Sequence, residues 1–68
     1  MSTTQTFTVT GMTCGHCVAS VTEEVQEIGG VESVAVDLPT GAVTVTSAAP
    51  LDESAVKAAV EEAGYQLT

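Results

Sequence analysis

The hydrophobic period of this 68-residue chain switches from two to about 3.6 and back, and then does so a second time. From Gln5 to Thr10, Phe7 and Val9 alternate with Thr6, Thr8 and Thr10, which predicts a strand with one buried face. Val18, Val21, Val25 and Ile28 then recur at helical spacing with Glu23 and Glu27 opposite, and Gly29-Gly30 is placed to stop that helix. Alternation returns in Val34 and Val36 against Ser33, Ala35 and Asp37. Leu38-Pro39-Thr40-Gly41 carries the Pro and Gly of a type I turn, and Val43 and Val45 alternate with threonines beyond it. A second helix is expected to open at Asp52 as N-cap, stapled by Leu51 and Val56. Its apolar stripe is Val56, Ala59, Val60 and Ala63, and Gly64 ends it. Tyr65 and Leu67 alternate around Gln66 in a short last strand.

The order is therefore β-α-β-β-α-β, and each strand has a single apolar face. Both helices must cover that face of one four-stranded antiparallel sheet. This is the α+β, ferredoxin-like βαββαβ sandwich. One domain spans residues 1–68. Eleven of the 30 apolar residues are Val and nine are Ala, with one Phe, one Tyr and no Trp. A chain this short buries only ~60 % of its unfolded surface. The core is one layer of small side chains, with no room for a catalytic cleft between lobes, and an enzyme is not expected.

Nine acids against Lys57 alone, with no Arg, give a net charge of −8. Nucleic acid is excluded as a partner, because phosphate binding needs cations to displace counterions, and anionic membranes are disfavoured. Like-charge repulsion is expected to keep the apo protein monomeric. The first residues have neither the basic nor the apolar segment of a signal peptide. No apolar run approaches the ~20 residues of a membrane span. The expected location is the cytoplasm.

In a reducing compartment, Cys14 and Cys17 are too close to staple a fold and point to metal or redox chemistry. They flank Gly15-His16 between the first strand and the first helix. Both sulfurs can converge at a helix N-terminus, where unpaired N–H groups and the helix dipole favour thiolate. Two thiolates suit a soft d¹⁰ ion such as Cu(I), whereas structural zinc takes four ligands. The rival reading is a dithiol oxidoreductase. Cys-Gly-His-Cys is also the active-site tetrapeptide of protein disulfide isomerases, but this chain is too short for the thioredoxin fold that carries it. A metal-binding domain cut from a longer copper ATPase is the third reading.

Gly11-Met12-Thr13-Cys14-x-x-Cys17 after a strand, in βαββαβ order, resembles the heavy-metal-associated domain from about Phe7 to Leu67. Within that family the chain is most similar to bacterial copper chaperones of the CopZ type. The resemblance implies Cys14 and Cys17 as Cu(I) ligands, Met12 as loop anchor, and Tyr65 near the site from the opposite loop. His16 is expected to tune the site without being a primary ligand. The implied receivers are the metal-binding domain of a copper-exporting P-type ATPase or a copper-sensing repressor. Because two sulfurs leave copper open to a third, a copper-bridged homodimer is a further expectation.

Overall fold

The computed structural model describes residues 2–13 and 15–68. Its elements are β1 (Thr3–Thr10), α1 (Gly15–Gln26), β2 (Val31–Asp37), β3 (Ala42–Ser47), α2 (Glu53–Glu62) and β4 (Gln66–Leu67). The strands form one sheet in the order β2-β3-β1-β4, with antiparallel neighbours throughout. This is the ferredoxin-like sandwich that the alternating periods predict. β1 is an inner strand. Its end is held by the Thr8–Ala42 register to β3 and by the Val9–Leu67 and Thr10–Gln66 registers to β4. The chain that leaves at Gly11 therefore starts from a strand fixed on both flanks.

Six fully buried valines, Val21 and Val25 from α1, Val43 and Val45 from β3, and Val56 and Val60 from α2, dominate the core. Burying each is worth about 1.5–3 kcal/mol, and their β-branching leaves few rotamers to choose among. Thr4, Thr6, Thr8 and Thr10 stand exposed on the other face of the sheet. Ser47 is fully buried and donates its hydroxyl to the Ala49 carbonyl at 2.7 Å.

Element ends differ from expectation for identifiable reasons. α1 begins at Gly15, so its buried row is Cys17, Val21 and Val25, and Val18 is only half-buried. It closes at Gln26 rather than at the glycines, through short-range bonds from Glu27 N–H to Glu24 O and from Ile28 N–H to Val25 O. Asp52 occupies the N-cap position of α2, but its carboxylate caps no N–H. Its main-chain oxygen accepts from Ala55 and Val56 instead. The approach to α2 is set by Gln5 of β1. The Gln5 amide donates from Nε2 to Leu51 O at 3.2 Å and accepts from Leu51 N–H at Oε1 at 2.8 Å.

The β2–β3 turn closes through the Gly41 N–H, which donates to Asp37 O at 2.8 Å and to Leu38 O at 3.3 Å. Gly41 has φ +74°, and a Cβ there would lie 2.5 Å from Val9 O. Only glycine lets the turn come this close to β1, where the Gly41 carbonyl accepts the Val9 N–H at 2.8 Å. The turn is thus anchored to the core strand two residues before Gly11. Among the described residues no helix is long and apolar enough to cross a membrane.

Candidate metal centre

Three segments meet at the end of the sheet where β1 stops: the loop from Gly11, the β2–β3 turn, and the α2–β4 junction. Gly11 leaves β1 with φ +94°, which turns the chain toward α1. Met12 is half-buried and packs against the core. Its flexible thioether is well suited to such packing. Thr13 is exposed. Cys14, expected as one of the two ligands, lies outside the described residues.

Cys17 falls in the first turn of α1 and is 7 % exposed. The first N–H groups of a helix have no intrahelical partner, so the peptide dipoles present a positive end to that turn. The turn holds no acid to oppose a thiolate. His16, its neighbour, is exposed and projects away from the buried row. Among the described residues no three His, Cys, Asp or Glu side chains gather in a metal-holding group. Those residues therefore build no closed three- or four-ligand cage around Cys17.

Tyr65 reaches this end from α2. Its N–H donates to Val60 O at 3.1 Å, and Gly64 N–H donates to Glu61 O at 2.9 Å. With Gly64 at φ +95°, these bonds make a Schellman closure of α2. Alternation around Gln66 predicts Tyr65 in the last strand. It lies one residue before β4, half-buried against the core, with its ring beside Gly11. The resemblance implies Tyr65 near this loop, but no residue pattern names Gly11 as its neighbour. The contact's only trace in the sequence is a glycine just after a strand and another just after a helix.

A group of like charges lies further along the helices. Burial of the Glu24 carboxyl, and then the like charges of Glu27, Glu62 and Glu23, hold Glu24 above the usual carboxylate range. Glu23 and Glu27 come from the same segment as Glu24, whereas Glu62 belongs to α2, so that part of the crowding depends on the two helices packing together.

Comparison with known proteins agrees with this fold. The heavy-metal-associated domain matches residues 6–66. The copper chaperone CopZ of Enterococcus hirae is 42 % identical over 67 residues, covering 91 % of this chain and 91 % of that protein. Copper-transporting ATPase 1 of Rhizobium meliloti is 38 % identical over 63 residues, which is 93 % of this chain but 8 % of that protein. The solved structure of a CopZ metallochaperone superposes with a TM-score of 0.89 at 34 % identity, over 97 % of this chain and 100 % of its own.

Proposed function

Because this chain belongs to the heavy-metal-associated domain family, we propose that it is a non-enzymatic copper carrier of the cytoplasm. It holds one Cu(I) ion between the sulfurs of Cys14 and Cys17 and hands it on by ligand exchange. The observation that carries the reading is Cys17, buried in the first turn of α1 three residues beyond Cys14. The similarity to the Enterococcus hirae chaperone supports copper as the cargo.

Two thiolates at a helix N-terminus form a soft donor pair, which matches a soft d¹⁰ ion better than a hard cation. A thiol that is still protonated gives up its proton on binding, so loading releases protons. Copper stays in one oxidation state throughout. With two protein sulfurs the ion remains open, and a receiver's thiolate can add before a donor sulfur leaves. Transfer then needs no free ion, and tight holding is compatible with fast exchange. The receivers we propose are the related metal-binding domain of a copper-exporting P-type ATPase, and a copper-sensing repressor. Similarity to the Rhizobium meliloti ATPase segment supports the first of these. Exposed His16 and half-buried Met12 adjust the surroundings of the sulfurs without ligating copper. A third thiolate from a second loaded chain would give a copper-bridged dimer.

The test is a Cu(I) competition against a chromophoric chelator of known affinity. Cys17→Ser should weaken binding by more than the about 10–100-fold that loss of an outer-shell partner costs, while the far-ultraviolet dichroism stays that of the parent. Parent-like affinity in Cys17→Ser would refute the two-thiolate site. Insulin reduction at the rate of a dithiol oxidoreductase would replace the carrier reading with the redox one.

A further inference from the structure

The register between β1 and β3 stops at Thr8–Ala42. Beyond it, among the described residues, the hold on β1 from that side is the bond from Val9 N–H to Gly41 O at 2.8 Å. Val9 stands two residues before Gly11, where the chain leaves the sheet for the cysteine loop. The last β3-side bond to β1 is therefore supplied by a turn and not by a strand. The Gly41 carbonyl meets Val9 with the Gly41 backbone left-handed, at φ +74°. A glycine has no Cβ to restrict its own backbone, so the bonds around Gly41 must hold that conformation.

Thr40 supplies such bonds from its side chain. Its hydroxyl donates to Asp37 Oδ2 at 2.8 Å and accepts from the Ala42 N–H at 3.3 Å. It thus spans Gly41 and ties the last residue of β2 to the first of β3. The main chain adds the bond from Gly41 N–H to Asp37 O. Thr40 is exposed, so this bridge rather than core packing is what its side chain contributes.

We propose that Thr40 is a positioning residue for the metal loop, acting from the neighbouring turn. Its hydroxyl bridge holds Gly41, the Gly41 carbonyl holds Val9, and Val9 fixes the point from which the loop to Cys14 and Cys17 departs. Thr40 itself touches neither cysteine in this scheme. The proposal rests on the two-thiolate reading of those cysteines. A two-ligand site depends on preorganisation, because any ordering of the loop left until binding is subtracted from affinity.

The experiment compares Thr40→Val, Thr40→Ser, Asp37→Ala and the Asp37→Ala/Thr40→Val double variant with the parent. Val keeps the shape and the β-branching of Thr and removes only the hydroxyl. Each protein is followed by hydrogen exchange at the Val9 amide, by amide chemical shifts of residues 11–13 and 15–17 in the apo state, and by Cu(I) chelator competition. Thermal unfolding establishes that each is folded. Thr40→Val should speed Val9 exchange and weaken Cu(I) binding, each by about two- to tenfold, the range that one hydrogen bond is worth. Thr40→Ser, which keeps the hydroxyl, should restore the parent values. Asp37→Ala should add little to Thr40→Val, because both break the same bridge. Parent-like Val9 exchange or parent-like Cu(I) affinity in Thr40→Val would overturn the proposal. So would Thr40→Ser being as damaging as Thr40→Val, or strictly additive effects in the double variant. If the parent bound no Cu(I), the two-thiolate reading would fail, and Val9 exchange with the apo loop shifts would still decide whether Thr40 fixes the loop.

Discussion

Replacing Gln5 tests how β1 holds the entrance to α2. The Gln5 amide makes two hydrogen bonds to the Leu51 backbone, at 2.8 and 3.2 Å, in a partly buried setting. Each is worth about 0.5–1.5 kcal/mol net, so Gln5→Ala should cost about 1–3 kcal/mol. For a domain of this size 1 kcal/mol moves the midpoint of thermal unfolding by about 4–8 °C. Urea unfolding followed by circular dichroism, with an unchanged m-value, would measure the loss directly. Gln5→Glu sharpens the test. An introduced carboxylate can still accept the Leu51 N–H, but its second oxygen faces the Leu51 carbonyl with no proton to share. Its folded pKa is therefore raised above the unfolded value of ~4.3. The deficit relative to the parent should be largest at pH 7 and shrink as the pH falls through that raised value, where the acid regains a donor. Stability of Gln5→Ala within about 0.3 kcal/mol of the parent, half the weaker bound, would refute the clasp. So would a Gln5→Glu deficit that is the same at pH 7 and pH 4.

The raised carboxyl of Glu24 makes its charged form a cost to the fold at neutral pH, relieved as the pH drops through the folded pKa and absent below the unfolded one. Glu24→Gln should therefore be more stable than the parent at pH 7, with an advantage that fades in acid and in high salt; equal differences at pH 7 and pH 4 would contradict this. Gly41→Ala combines a left-handed φ with a Cβ 2.5 Å from Val9 O, and about 2–3 kcal/mol should be lost through strain and the displaced Val9–Gly41 bond. Gly30→Ala, at a left-handed φ of +93° with nothing within 4 Å of the new methyl, is the matched control, and equal melting temperatures for the two variants would refute the close-approach argument.

Several of these residues were only half legible in the sequence. Alternation identified Phe7 and Val9 as the inward side of β1, but Gln5 on that same side looked like an ordinary strand residue. Its partner is 46 residues away, and no local pattern signals it. Asp52 is expected to cap with its side chain because Asp before an apolar-periodic run has that local preference, yet its carboxylate caps no N–H. The spacing predicts Val18 as the start of the helical stripe. The helix begins earlier, at Gly15, so Cys17 takes the buried position one turn before Val21.

Element order and the side each strand turns inward follow from the sequence alone, because side-chain periods of 2 and 3.6 are properties of the local backbone. The chemistry proposed for the cysteine pair is likewise a local reading, since it rests on a spacing of three residues and a helix start. Which distant groups touch was decided only by the tertiary structure. Gln5 meets Leu51, Gly41 meets Val9, Gly11 meets Tyr65, and Glu24 feels the charge of Glu62 because β1 lies between β3 and β4 in one register and the helices pack side by side on one face. Strand order and register come from burying every apolar face at once, a condition on the whole chain that no single segment carries.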